Sequence, residues 1–275
     1  MGQKVNPNIF RLGINKTWDT IFLENKNLEL PVYTFKNVEI KEYIQKFLLN
    51  HNLKLHSYKL HYNQSLINIY ISYFIPKTFN IKKNKLKNTN KSLNILNENL
   101  LIKKFIEGLN MFTKKKHKIV TVFQCINKNL YFLTPEQINF LKTRLILLKK
   151  FKNKENFDFD ETFDIICNSI FTKNSSFMLS NFIAEKLKKI KKHNRFLSCI
   201  TKIFELLIFS QFSKIKGIKI KISGKLNRAR KTKTKIIQVG NIPAQTIKES
   251  LNYSQSTVTH NPNGSFGVKV WIVEK

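Results

Sequence analysis

Apolar and basic side chains alternate with a period of two along residues 217–223. Ile218, Ile220 and Ile222 therefore share one face of a strand, and Lys219 and Lys221 share the other. A second strand is expected through Ile236, Ile237 and Val239, broken by Gly240, Asn241 and Pro243. After a turn at 261–264, residues 266–273 alternate again. Upstream, apolar spacings of three and four predict helices over 38–50 (Asn37 as N-cap; Ile40, Ile44, Phe47 and Leu48 on one face), 93–112, 176–192 and 194–212. Alternation predicts further strands over 53–62, 66–75 and 118–126, and Pro76 stops the second of these. Thr134-Pro135-Glu136-Gln137 is a capping box with proline at the first helical position, opening a helix through Ile138, Leu141, Leu145 and Leu148.

These elements make an α+β chain in four parts. Residues 1–35 hold Lys4, Arg11, Lys16, Trp18, Phe22, Tyr33 and Phe35 without clear period, as an extended arm that orders on binding or as an ordinary frayed terminus. Residues 36–127 give helix, strand, strand, helix, strand. Residues 128–174 come next, and 175–275 make a two-layer α/β domain.

Charge narrows the partner. The 275 residues carry 49 Lys and Arg against 17 Asp and Glu, a net +32, with 42% hydrophobic and 12% aromatic residues. That apolar content excludes wholesale disorder, and the charge repels itself unless a polyanion neutralises it. Nucleic acid is the first such partner. A membrane surface is the runner-up, but no stretch reaches the roughly 18 apolar residues of a spanning helix. The loop over 225–235 concentrates six cations and no acid, a composition suited to phosphate contacts.

Other chemistry is thin. Cys125, Cys167 and Cys199 stand far apart without Cys-x-x-Cys or Cys/His spacing, which argues for a reducing compartment and against a zinc site. His51, His56 and His61 recur every five residues and share neither a helix face nor a strand face. Between 155 and 164 lie five carboxylates among Phe157, Phe159 and Phe163. They lack the glycine and closing glutamate of a calcium loop and any catalytic partner, so we read a surface that docks a basic protein. No enzyme, metal or cofactor is implied.

The strings GIKIKISGKL (217–226), NIPAQTI (241–247) and GVKVWI (267–272) resemble the C-terminal domain of small-subunit ribosomal protein 3. MGQKVNPNIFRLG (1–13) resembles the start of the same family, Met-Gly-Gln-Lys-Val-x-Pro-x-x-x-Arg-Leu-Gly. The resemblance implies a structural constituent of the small ribosomal subunit that binds rRNA in the head, near where messenger RNA enters. Proteins of the 10 and 14 types would be its neighbours. It implies that the arm lies on rRNA and that 36–127 is a type II KH domain. KH domains clamp a nucleotide backbone with a Gly-x-x-Gly loop; no glycine occurs between Gly13 and Gly108, so the clamp is degenerate. Lys82, Lys83, Lys85 and Lys87 occupy its place, as diffuse phosphate contacts or as a solvated loop.

By the same resemblance the rRNA contacts are Lys4, Arg11, Lys16, Lys219, Lys221, Arg228, Arg230, Lys231, Lys233 and Lys235, while Gly217, Gly224 and Gly267 are structural. A family Arg-Arg-x-x-Lys cluster facing messenger RNA aligns with Asn194, Arg195 and Ser198. Only Arg195 keeps its charge, with Lys188, Lys189, Lys191 and Lys192 just upstream, as substitutes or as a solvated helix face. Trp271 is expected in the core. The 128–174 stretch has no counterpart in the family pattern, so it reads as a lineage-specific insertion, expected to dock a lineage-specific protein. Family-like sequence from Met1 leaves no room for a presequence. Heavy use of Lys, Asn, Ile and Phe suggests an AT-rich organelle genome, mitochondrial first and plastid second. Two rivals are a free-standing organellar RNA chaperone or splicing factor, which would keep the Gly-x-x-Gly loop, and a nuclease or maturase, which needs metal-binding carboxylates.

Overall fold

The computed structural model describes residues 5–25, 28–63, 65–76, 91–114, 117–127, 136, 139, 140, 143, 144, 146, 148, 158–190, 192–210, 213–260 and 264–275, without the side chains of 91–98, Arg228 and His260. The fold is α+β. The chain divides into two compact units, residues 18–127 and residues 1–17 together with 128–275.

In the first unit β1 (Thr20–Ile21), α1 (Leu30–Asn50), β2 (Lys54–Tyr62), β3 (Leu66–Phe74), α2 (Lys91–Phe112) and β4 (Lys118–Cys125) follow in order. The sheet runs β1-β2-β3-β4. The β2–β3 pair is antiparallel and β3–β4 is parallel. A parallel pair needs a crossover connection, and α2 is that crossover. Ile67, Ile69 and Ile71 of β3 are buried, as are Ile40, Ile44 and Leu48 of α1 and Phe105 and Leu109 of α2. Phe105 sits at the centre, 5.1 Å from Phe47 and 5.3 Å from Phe123 between ring centroids. Helix α1 begins eight residues before the expected Val38, so Asn37 is an interior residue and not a cap. Pro31 lies in its first turn, where a missing N–H costs nothing, and no breaker follows until residue 50. Of the Lys- and Asn-rich linker expected over 77–91, residues 77–90 lie outside the described residues and Lys91 already opens α2.

The second unit contains α3 (Phe159–Phe171), α4 (Ser176–Lys189), α5 (His193–Ile208), β5 (Ile215–Gly224), β6 (Lys233–Gly240), β7 (Leu251–His260) and β8 (Gly264–Glu274). Its sheet is antiparallel throughout, in the order β6-β5-β8-β7. The alternation works as read: Ile218, Ile220, Ile222, Val268, Val270 and Ile272 are all buried. They face α4 and α5, which contribute Phe182, Ile183, Leu187, Phe196, Ile200, Ile203 and Phe204. On β7 the helix side carries serines instead. Ser254 donates to Ser176 O at 2.6 Å and Ser256 to Ser180 O at 2.8 Å, fastening α4 to the sheet edge. Gly217 and Gly240 are direct partners in the β5–β6 register. A Cβ on Gly217 would lie 2.4 Å from Asn241 O, so that close approach requires glycine.

Two expected boundaries change. Residues 5–17 are not an extended arm: they pack within the second unit, and residues 30–35 are already helix. Helix α3 lies inside the stretch expected to be an insertion, yet nearly its whole length is buried beside α4 and α5. Phe159, Phe163, Ile166 and Ile170 recur at helical spacing, which draws the edge of this core back from residue 175 to Phe159. The capping residue Thr134 lies outside the described residues; Glu136, Asn139, Phe140, Thr143, Arg144, Ile146 and Leu148 are helical.

Candidate nucleic-acid interface

The cationic loop is held at its root. Leu226 is buried beneath a short turn (Leu226–Arg228), and Asn227 adopts a left-handed backbone with φ of +54°. His193 N–H donates to Asn227 Oδ1 at 2.6 Å, and Asn227 N–H donates back to His193 Nδ1 at 2.9 Å. Asn227 Nδ2 also donates to Asn194 Oδ1. This joint ties the loop to the first turn of α5, so Lys225 and Arg230 lie on the same rim as Lys192 and Arg195. Lys225, Arg230, Lys231, Lys233, Lys192 and Arg195 are exposed, as are Lys188 and Lys189 at the end of α4. Lys235 is half-buried, paired with Ile222. The candidates Lys4 and Lys191 and the side chain of Arg228 lie outside the described residues.

The sheet face away from the helices adds to this rim. Lys219 lies opposite Trp271 and Lys221 opposite Lys269 in the β5–β8 register. The Lys219 ammonium stands 5.9 Å from the Trp271 ring centroid, within the range of a cation–π contact. Trp271 is thus not a member of the helix-facing core. It is half-buried on the open face, 5.2 Å from Tyr253, at the edge of a small cluster of Leu251, Tyr253, Val273 and Ile242. Lys269 was not among the sequence candidates, although its alternation between Val268 and Val270 placed it with Lys219 and Lys221.

Two sequence candidates, Arg11 and Lys16, serve the fold instead. Arg11 is 3% exposed. Its guanidinium donates to Pro7 O at 3.0 Å, Ala244 O at 3.1 Å and Thr246 O at 2.7 Å. Asn8 pairs both its amide groups with the backbone of Tyr253, covering the free edge of β7, and Asn15 donates to Ile247 O. Lys16 donates to Asn252 Oδ1 at 3.2 Å. Arg11 is therefore a structural clamp. The two ends of the chain that share one family's pattern are folded onto each other.

Part of the acidic segment also turns inward. Glu161 meets the Lys186 ammonium at 2.6 Å, with side chains only 12% and 9% exposed, and Asp164 is buried. Asp158 stands 3.6 Å from the same ammonium. Glu161 and Asp164 are thus committed within the chain, where a buried charge needs a partner, whereas Asp158 and Asp160 are exposed and Glu155 lies outside the described residues. Lys186, in the sequence run of lysines, is likewise withdrawn from any ligand. Among the described residues no group of His, Cys, Asp and Glu could hold a metal ion, and no helix is long and apolar enough to cross a membrane. His56 is buried against Ser72, and His61 packs on Tyr70. None of the three cysteines forms a disulfide, and burial pushes the Cys199 thiol up to about 12.

Comparison with known proteins is consistent across the chain. A family profile described as Ribosomal protein S3, C-terminal domain, matches residues 183–272. Over 278 residues the chain is 28% identical to small ribosomal subunit protein uS3c of Euglena longa, covering 99% of both. It is 24% identical over 273 residues to uS3 of Kosmotoga olearia, covering 99% of this chain and 94% of that one. A shorter match, 46% over 63 residues, links it to uS3c of Cyanidium caldarium, covering 23% of this chain and 30% of that one.

Proposed function

We propose that this chain, which belongs to the ribosomal protein S3 family, is a structural RNA-binding constituent of the small ribosomal subunit. The observation that carries the reading is the cationic rim of Lys192, Arg195, Lys225, Arg230, Lys231 and Lys233, exposed and fixed to a rigid two-layer core by the His193–Asn227 joint. Its action is electrostatic. Each lysine or arginine that meets a phosphate releases condensed counterions, so binding is strong at low salt and carries little base specificity. The role is structural, with no catalysis. The RNA is ribosomal.

Within that role the finer assignments are ours. We read 18–127 as a KH-like unit, a reading supported by its αββαβ order and mixed sheet. The rim at Lys188, Lys189, Lys192 and Arg195 faces the path by which messenger RNA enters. Small-subunit proteins of the 10 and 14 types are the neighbours. The setting is an organelle ribosome. Amino-acid usage favours the mitochondrion, whereas the uS3c relatives, chloroplast-encoded forms, favour the plastid.

Sedimentation tests the reading. Organelles are separated first, and their extracts are run on sucrose gradients with immunodetection after a high-salt wash. Co-migration with the small subunit is expected, in whichever organelle holds the protein. Sedimentation with free messenger or intron RNA, away from subunits, would overturn it.

A further inference from the structure

We infer that the open face of the β5–β8 sheet holds an unpaired stretch of RNA, with one base stacked on the Trp271 indole and flanking phosphates on Lys219, Lys221 and Lys269. The inference rests on the RNA-binding reading above and gives one part of that contact its chemistry.

Three features of the face point to this occupant. Lys221 and Lys269 are direct cross-strand partners. Like charges directly opposite destabilise a strand pair, and no carboxylate stands among the strand positions sharing this face. An anion lying across the pair offsets that repulsion. Next, Trp271 is held by Tyr253 beside it and by the cluster of Leu251, Val273 and Ile242, yet it is only partly covered. A fixed and partly open aromatic ring is a stacking platform, and stacking tolerates any base because every base has a π-face. Finally, Ile236 lies opposite Lys221 on the other side and is 54% exposed, an apolar patch beside the cations.

The mixture selects among ligands. A second copy of a chain with net charge +32 brings the wrong charge. A duplex brings phosphates, but its bases are already stacked on one another. An unpaired strand supplies both phosphates and a free base. The Lys219 ammonium, now over the indole, is one side-chain rotation from a phosphate beside that base.

The chain has two tryptophans, and Trp18 lies exposed in the other unit. A full-length Trp18→Phe variant therefore reports on Trp271 alone. It is titrated with a labelled oligouridylate and with an RNA hairpin of equal charge, reading anisotropy for binding and indole emission for stacking. Saturable quenching by the oligouridylate, and much less by the hairpin, is expected. Adding Lys221→Gln and Lys269→Gln should lower the log–log salt slope by about 1.4, at roughly 0.7 per single-strand phosphate contact. Oligouridylate binding with unchanged Trp271 emission overturns the stacking inference and leaves the ribosomal reading in place. An unchanged salt slope in the lysine variant overturns the phosphate part. Failure of both RNAs to bind at low salt overturns the inference and the RNA-binding reading together.

Discussion

His193 and Asn227 bind each other twice, each donating its backbone N–H to the side chain of the other, at 2.6 and 2.9 Å. The imidazole Nδ1 accepts, so the proton is on Nε2, which stands 3.1 Å from Leu187 O. One ring thus joins the end of α4, the start of α5 and the root of the cationic loop. Asn227→Ala removes this joint and leaves an alanine at φ of +54°. A cost of about 2 kcal/mol is expected, from roughly 1 for the lost hydrogen bonding and 1 for the left-handed backbone. Asn227→Gly should cost about half as much, since glycine tolerates that conformation. Urea denaturation of both variants separates the two contributions, and equal losses would show that backbone strain plays no part.

The Lys186–Glu161 pair gives a second test. Lys186→Met leaves a buried carboxylate without its cation, for an expected loss of about 3–5 kcal/mol. Replacing both residues, Lys186→Met with Glu161→Leu, should recover most of that loss. If the single variant is as stable as the parent in thermal unfolding, the pair is not the tie between α3 and α4 that its 2.6 Å separation implies.

Alkaline pH should weaken the fold through two groups, the buried Cys199 and the half-buried Tyr58. Burial pushes the Cys199 thiol from 9.0 up to about 12; burial, and secondarily the charge of Asp19, push the Tyr58 phenol from 10.0 up to about 12. Both keep their protons in the folded chain after the unfolded chain has lost them. Stability is therefore full below about pH 9 and falls as pH rises toward 12. The urea midpoint should track that window, and a flat profile to pH 11 would contradict it. In native protein the half-exposed Cys125 should react with a thiol reagent well before the buried Cys167 and Cys199.

Rim and clamp should separate cleanly. Arg230→Gln, Lys231→Gln and Lys233→Gln together should lower the salt slope of binding to double-stranded rRNA by up to about 2.7, at about 0.9 per contact, with folding stability unchanged. Arg11→Met should do the reverse, costing about 2–3 kcal/mol of stability because charge-assisted hydrogen bonds are lost, with the slope kept. Titrations at several salt concentrations beside urea melts decide both. A slope change in Arg11→Met would return that residue to the RNA surface.

What the sequence reveals here follows from the range of the interactions. Period two marks Ile218, Ile220 and Ile222 without outside help, because a strand face needs only its own side chains to be recognised. Lys269 was equally legible, and the same alternation sets Trp271 on its face. Arg11 was not: its carbonyl partners are 233 and 235 residues away, and a buried arginine looks like an exposed one in a basic string. Helix α3 was obscured by composition. Its carboxylates drew attention from the apolar spacing of Phe159, Phe163, Ile166 and Ile170, and only Lys186, 25 residues on, explains why Glu161 can be buried among them.

The clamp of residues 5–17 on the loop at 241–250 also has a consequence in time. Asn8 and Tyr253 are 245 residues apart, so the segment made early has no seat until β7 has been synthesised. At roughly 5–20 residues per second, that interval is on the order of ten seconds or more. During that wait, the edge of β7 does not yet exist and Arg11 has no carbonyls from the 241–250 loop to hold. Closing so long a loop is entropically costly, which places this contact among the last to form. Docking of the early segment therefore waits on the C-terminal sheet, and a chain truncated before residue 244 would leave Arg11 without its two distant carbonyls.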